Sequence, residues 1–234
     1  VHGGGKEVTK VCKQLGKEPK FVTSPSGIKS RYTDKETAEI FTMVMSGRIN
    51  KTIVQMLQKN GINAIGLSGV DARIIEADRK KKLLIVNEKG RKQAIDGGYT
   101  GKIKNINSEF IKSLLKQGLT PVISPIAISE ESEFLNVDGD RAAAYVAGSV
   151  GSDKVLFITN VDGLLMDDEV VAKLTLAQAK EIRPKIGPGM EKKILASTEA
   201  LDMGVKQAFI ANGQKENPIS TAIAHDNCTV IEHE

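Results

Sequence analysis

The chain has 234 residues, 40% hydrophobic and 26% charged, a globular composition that excludes disordered, collagen-like and coiled-coil chains and suffices for one large domain or two lobes. No apolar run approaches the ~20 residues that cross a bilayer, and Val1-His2-Gly3-Gly4-Gly5 is not a secretory leader, so the expectation is a soluble, cytoplasmic protein without a membrane partner. A net charge of +4 favours an anionic small molecule or an acidic protein, while 4% aromatic residues and no Trp offer little to nucleic acid.

In chain order, a helical stretch follows the opening glycines, and helices are predicted over residues 34–45 and 50–59. A strand over 62–67 precedes a departure from that rhythm. Short strands at 83–86, 93–95 and 99–103, separated by Glu88-Lys89-Gly90 and Asp96-Gly97-Gly98, predict an antiparallel excursion. Further on come a helix over 108–116, a strand over 119–126, a helix over 140–148 and a strand over 154–159. Helices over 175–182 and 190–203 alternate with strands over 206–211 and 228–231. Alternation of this kind predicts an α/β fold, a three-layer αβα sandwich around a mostly parallel sheet. Gly148-Ser149-Val150-Gly151-Ser152 marks a join between lobes at 1–148 and 149–234 that share one continuous sheet.

Two distant cysteines, Cys12 and Cys228, predict no disulfide framework or thiolate metal site, and His2, His225 and His233 give little material for a metal centre or a catalytic triad. Gly3-Gly4-Gly5 has amides that can approach an oxyanion closely, with a helix N-terminus just beyond; the plain alternative is a tight turn. A hydrolase oxyanion loop would need a Gly-x-Ser-x-Gly elbow, and Gly66-Leu67-Ser68-Gly69-Val70 fails at its last position. Walker A and dinucleotide motifs are absent. Gly187-Pro188-Gly189-Met190 opens a helix carrying Lys192 and Lys193, which aims amides and an ammonium at one anion or simply starts a helix. Asn136-Val137-Asp138-Gly139-Asp140 places an amide and two carboxylates before an Ala-rich helix. Either Asp can be an N-cap, and a carboxylate there can also orient lysines around a phosphoryl group.

Together these residues resemble the amino acid kinase family, and within it the N-acetylglutamate kinase group, over almost the whole chain. The joint match includes Val1-His2-Gly3-Gly4-Gly5, Arg31-Tyr32-Thr33-Asp34, Asn50-Lys51, Gly66-Leu67-Ser68-Gly69-Val70-Asp71, the Asn136 to Asp140 stretch, Thr159-Asn160-Val161-Asp162-Gly163, and Gly189-Met190 followed by Lys193. The resemblance implies a phosphotransferase with a carboxyl group as acceptor, an amino-terminal lobe for that acceptor and dimerisation, and a carboxyl-terminal lobe for ATP. It also implies a homodimer and Mg2+ carried on the nucleotide, with no metal site of the chain's own. Carried over residue by residue, Gly4 and Gly5 bind substrate and transferring phosphate through amides, Arg31 grips the acceptor's α-carboxylate and Asn136 holds its polar backbone. Asp140 organises the catalytic cations, Lys193 neutralises charge on the phosphoryl oxygens, and Thr159, Asn160, Gly163, Gly189 and Met190 meet the nucleotide.

The acceptor stretch departs from the Gly-Leu-Arg-x-Thr-Asp of N-acetylglutamate kinases, because Lys29-Ser30 separates Gly27-Ile28 from Arg31. It is similar instead to kinases acting on 2-aminoadipate or glutamate attached to an acidic amino-group carrier protein, LysW, in lysine and arginine biosynthesis. Lys29, Arg79 and Lys80, the last two opening the run Arg79-Lys80-Lys81-Lys82, are the candidate carrier contacts; a hydrated turn is the plain alternative for that run. N-acetylglutamate kinase proper and a non-catalytic ligand-sensing module of the same fold are the competing readings. The family pattern also places a strand and a Lys-x-Gly-Gly turn ahead of Val1, so the expectation is that the polypeptide as numbered, without them, is unstable or nearly inactive.

Overall fold

The computed structural model describes residues 1–167, 169–187 and 189–234. The chain divides into two compact units, 1–142 and 143–234.

In the first unit, helix α1 (Gly5–Gln14) is followed by a hairpin of β1 (Phe21–Thr23) and β2 (Lys29–Arg31). Helix α2 (Lys35–Thr42) starts where the Asp34 carboxylate accepts from the Thr37 amide at 2.8 Å. It runs through a wide helical turn at Met43–Ile49 into α3 (Asn50–Lys59). Val8 and Cys12 of α1 pack against Ile40, Phe41, Val44 and Met45, the i, i+3, i+4 apolar pattern that made the helices legible. Burial pushes the Cys12 thiol up from its ordinary value, with Arg31 and Lys17 opposing, which leaves it protonated and inert.

Strand β3 (Ala64–Ser68), then β4 (Ile75–Arg79), β5 (Lys82–Val86), β6 (Lys92–Asp96) and β7 (Gly101–Ile106) follow. After α4 (Ser108–Lys116), capped by Asn107, come β8 (Thr120–Ser124), β9 (Ile126–Ile128) and β10 (Phe134–Asn136). β3 pairs with β8 in parallel, β2-β1-β5-β6 form an antiparallel ladder, and β10-β9-β4-β7 form a third. The single strand expected over 119–126 is therefore two, because Pro125 has no N–H to carry a ladder through. The antiparallel excursion is present and larger than its apolar pattern announced: β1, β2 and β4 had no clear signal.

Helix α5 (Gly139–Val150) contains the division between the units, at Ala142/Ala143. The small-residue stretch expected to join two lobes is the end of this helix. Gly151 takes a left-handed φ of 74°, and the Ser152 amide bonds the Ala147 carbonyl at 2.9 Å. The second unit continues with β11 (Lys154–Thr159), a short hairpin of β12 (Leu165–Met166) and β13 (Glu169–Val170), β14 (Lys173–Thr175), α6 (Leu176–Ile182), α7 (Met190–Asp202), β15 (Gln207–Asn212), α8 (Pro218–Ile223) and β16 (Cys228–Glu232). Thr175 and Gln178 form a reciprocal capping box on α6. The sheet runs β11-β15-β16-β14, with β11 and β15 parallel over six residue pairs and β16 antiparallel to β15. Phe157, Ile194, Leu201, Ile210 and Ile231 lie at the centre of its core. Within each unit the described strands include parallel pairs, β3 with β8 in the first and β11 with β15 in the second, in a mixed α/β arrangement.

Candidate active site

In the first unit the candidate residues gather where α1, β2, β10 and the start of α5 meet. Gly4 is extended at φ 164° and caps α1. A Cβ there would lie 2.2 Å from Ile49 Cδ1 and 2.7 Å from Met45 Sδ, so close packing by itself calls for glycine. A Cβ on Gly139 would sit 3.7 Å from the His2 carbonyl oxygen, which brings the Asn136 to Asp140 motif beside the opening glycines. His2 Nδ1 lies 3.0 Å from the Gly3 carbonyl and its Nε2 3.3 Å from Asn50 Nδ2, the pattern of a neutral imidazole that donates at Nδ1 and accepts at Nε2. Burial keeps its pKa below the ordinary value.

Arg31 Nη2 donates to the Gly5 carbonyl at 2.9 Å and to Thr9 Oγ1 at 2.7 Å, and the guanidinium rests 5.0 Å from the centre of the Phe21 ring. Its Nη1 is buried without a hydrogen-bond partner. Burial depresses the guanidinium pKa, although it stays cationic at any ordinary pH. A desolvated cation with a donor to spare suits a carboxylate. Asn136 Nδ2 donates to Thr33 Oγ1 at 2.9 Å, and Thr33 is fully buried. The cap of α5 is Asp138, whose Oδ1 accepts from the amides of Asp140 and Arg141 at 3.1 and 3.2 Å, so the capping alternative belongs to Asp138 and not to Asp140.

The basic run is sorted by its surroundings. Arg79 is committed within the unit: Nε donates to the Gly98 carbonyl at 2.7 Å, Nη1 pairs with Glu133 at 2.6 Å, and the guanidinium lies 4.2 Å from the Tyr99 ring centre. Lys80 is half-buried, whereas Lys81 and Lys82 are exposed. Lys29 is exposed, with its ammonium 5.5 Å from the Phe21 ring centre.

In the second unit, Thr159, Asn160, Gly163, Gly189, Met190 and Lys193 all line one cavity of about 430 Å³, together with Ile186 and Gly187. Pro188 of the Gly-Pro-Gly-Met motif lies outside the described residues. The cavity opens at the carboxyl end of β11, beside its parallel neighbour β15, the usual place for a ligand in an open α/β sheet. Its size is in the range of small-molecule and cofactor sites. Gly189 caps α7 at φ 99°, a left-handed conformation that favours glycine, and Lys193 follows in the first turn of that helix. The strand-to-turn connection is tied down by Asp162, which accepts from Asn212 Nδ2 at 2.8 Å and pairs with Lys215 at 2.7 Å. Lys215 first, then Asn212, holds that carboxyl below the ordinary Asp value. A Cβ on Gly163 would meet Thr229 Oγ1 at 2.5 Å, and that hydroxyl accepts from the buried Leu164 amide at 2.8 Å. An ammonium and amides at a helix N-terminus can receive phosphate oxygens.

Thr9, Thr33, Asp162, Lys215 and Thr229 support these sites without having been singled out. Thr33 and Asp162 lay inside recognised motifs; Thr9, Lys215 and Thr229 carry no local signal, since their roles depend on partners 20 or more residues away. Among the described residues no group of three or more His, Cys, Asp or Glu side chains could hold a metal ion, and no helix is long and apolar enough to cross a membrane.

The fold is one already known. Over the whole of this chain and 51% of its own, N-acetylglutamate synthase from Neisseria gonorrhoeae, complexed with coenzyme A and N-acetyl-glutamate, superposes with a TM-score of 0.79 at 21% identity, a likeness of fold alone. Residues 1–212 match the model of the amino acid kinase family, and the chain belongs to that family. A protein of Nitrosopumilus maritimus (strain SCM1) named "Putative LysW-aminoadipate/LysW-glutamate kinase" is 92% identical over 234 residues, all of this chain and 88% of that protein. The LysW-aminoadipate/LysW-glutamate kinase of Sulfolobus acidocaldarius is 48% identical over 233 residues, 99% of this chain and 88% of its own length.

Proposed function

We propose that this protein is an ATP-dependent kinase that phosphorylates the side-chain carboxylate of 2-aminoadipate or glutamate carried through its amino group on the acidic carrier LysW. The product is an acyl phosphate. The observation that carries the reading is the full-length similarity to relatives named for this reaction, at 92% and 48% identity. The cavity shared by Thr159, Asn160, Gly163, Gly189, Met190 and Lys193, and the buried Nη1 of Arg31, support it independently.

In this reading the first unit takes the acceptor and the second the nucleotide. Arg31 holds the α-carboxylate by its spare donor, Asn136 orients the amide-linked backbone, and the Gly4 and Gly5 amides meet the attacking carboxylate and the incoming phosphoryl oxygens. The nucleophile belongs to the substrate and is already ionised near neutral pH, so no general base is needed. Phosphoryl transfer through a loose transition state asks the protein for alignment and positive charge. On the nucleotide side Lys193 supplies that charge as it builds on the transferring oxygens; on the acceptor side the role of Asp140 is to order catalytic cations. The second-unit cavity offers amides and an ammonium, groups that meet phosphate oxygens and not a bare cation, so Mg2+ fits as a passenger on the nucleotide, where it neutralises phosphate charge.

Lysine biosynthesis, and arginine biosynthesis through the glutamate branch, give this reaction its place, in a cytoplasmic homodimer. Lys29 and Lys80 remain the carrier contacts of this reading, since the Arg79 donors are engaged by Glu133 and Gly98. Charge steering between a basic enzyme and an acidic carrier weakens with salt. ADP release measured with carrier-linked aminoadipate, carrier-linked glutamate and free N-acetylglutamate tests the assignment: the carrier-linked acceptors turn over and the free one does not. Turnover of free N-acetylglutamate alone would replace it with N-acetylglutamate kinase.

A further inference from the structure

A row of polar side chains leads away from Asn136 across the β10-β9-β4-β7 layer. Thr100 bridges to Asn136 on one side, and on the other its carbonyl accepts from the Lys80 amide at 2.9 Å, extending the register in which Arg79 faces Gly101 and Asp78 faces Lys102. Directly opposed residues share a face of a ladder and side chains alternate along each strand, so Asn136, Thr100, Lys80 and Lys102 present to the same side. Arg141, in the first turn of α5, and Lys102 both press their positive charge on the half-buried Lys80 ammonium, with Asp138 as the opposing carboxylate. Desolvation first, then Arg141 and Lys102, pulls the Lys80 pKa below the ordinary lysine value. Among the described residues that ammonium makes no hydrogen bond or ion pair, and Thr100 Oγ1 beside it is buried without a partner.

A desolvated cation crowded by two others is unfavourable, and a donor hydroxyl buried unpaired adds to the cost; one bound anion relieves both. The acceptor's own anions are already placed, the side-chain carboxylate at the phosphoryl group and the α-carboxylate at Arg31. A further anion must come from whatever is joined to the acceptor's amino group. We infer that Lys80, Lys102, Arg141 and Thr100 form a subsite for a carboxylate on the arm amide-linked to that amino group. The inference rests on the reading of Arg31 and Asn136 given above, and it explains how a carrier-borne acceptor is told from one capped by a neutral acetyl group.

The test compares two ligands that differ by that one charge. Binding of N-succinyl-2-aminoadipate and N-acetyl-2-aminoadipate to the full chain is measured by titration calorimetry. The wild type binds the succinyl compound tighter by about tenfold or more, as a charge-assisted contact in a partly dry site should give. Lys80→Gln and Arg141→Gln bring the ratio to within about twofold, Lys80→Arg keeps most of it, and Lys80→Gln melts no lower than the wild type because it removes a crowded cation. Three results overturn the subsite: no succinyl preference in the wild type, a preference that survives Lys80→Gln, or equal loss of both ligands with a lowered melting temperature. Failure of the broader reading looks different. There the succinyl preference stands while the carrier-linked acceptor is not phosphorylated.

Discussion

Arg31 is bound to Gly5 by a 2.9 Å hydrogen bond through one terminal nitrogen while its other terminal nitrogen is buried and unpaired. The first contact fixes the plane of the guanidinium against the opening turn of α1, and the second leaves a fixed donor for a carboxylate. Replacing Arg31 by Lys keeps a charge but loses the two-pronged geometry. Steady-state kinetics should show the acceptor KM rising by roughly 10- to 100-fold in Arg31→Lys, as for loss of a hydrogen bond to a charged group. An unchanged acceptor KM would remove Arg31 from the binding site.

Gly4 is required by its neighbours. Gly4→Ala forces a methyl into Ile49 Cδ1 and Met45 Sδ and should destabilise the protein by about 1–3 kcal/mol, the ordinary cost of overpacking. Ile49→Val removes the nearer atom, so the double variant should recover part of the loss in denaturant unfolding. If Gly4→Ala unfolds like the wild type, the glycine is there for ligand approach alone.

Lys193 lines the second-unit cavity from the first turn of α7. Lys193→Met should lower kcat by about 100- to 1000-fold, the usual effect of removing one electrostatic stabiliser of a transition state, with a much smaller change in the KM for ATP. The reverse split, a raised KM with kcat preserved, would make Lys193 a ground-state nucleotide contact.

Asp162 gives the turn at the second-unit cavity an acid limit. Its folded pKa lies below the unfolded value of 3.8, so its contribution is fully present above that value and is lost as pH falls through the lower, folded one. In hydrogen exchange corrected for intrinsic rates, amides of residues 159–163 should lose protection in the wild type below about pH 4. Asp162→Asn should lack that protection already at pH 5. Equal protection in both proteins at pH 5 would show that the Lys215 and Asn212 contacts do not hold the turn.

Much of this was legible in the residues because it is local. The apolar periodicity of α3, α4 and α7 and the Val-Ile runs of β11 and β16 stand out without any tertiary information, and the helices at 108–116 and 50–59 end where their patterns end. The opening glycines, Arg31 and the Thr159 turn were visible as motifs. Less visible was whatever depends on distant partners. Strands β1 and β2 are short and mostly exposed, so no alternation marks them. β4, with Asp78 and Arg79 at its end, looks like the beginning of a charged run and becomes a strand only through its neighbours β7 and β9. The division within α5 is invisible for the same reason, since an Ala-rich helix reads alike on both sides of it. Composition said that Arg79 to Lys82 is basic. It could not say that Glu133, 54 residues away, takes Arg79 while Lys80 turns toward Lys102 and Arg141.

The most direct test of the central claim is to run the reaction with ATP and carrier-linked 2-aminoadipate in hydroxylamine, and then locate the product by mass spectrometry. A hydroxamate on the acceptor's side-chain carboxyl, formed only with ATP and abolished in Lys193→Met, is the predicted result. ADP formation with no hydroxamate on that carboxyl, or an equal yield from the Lys193→Met protein, would contradict it.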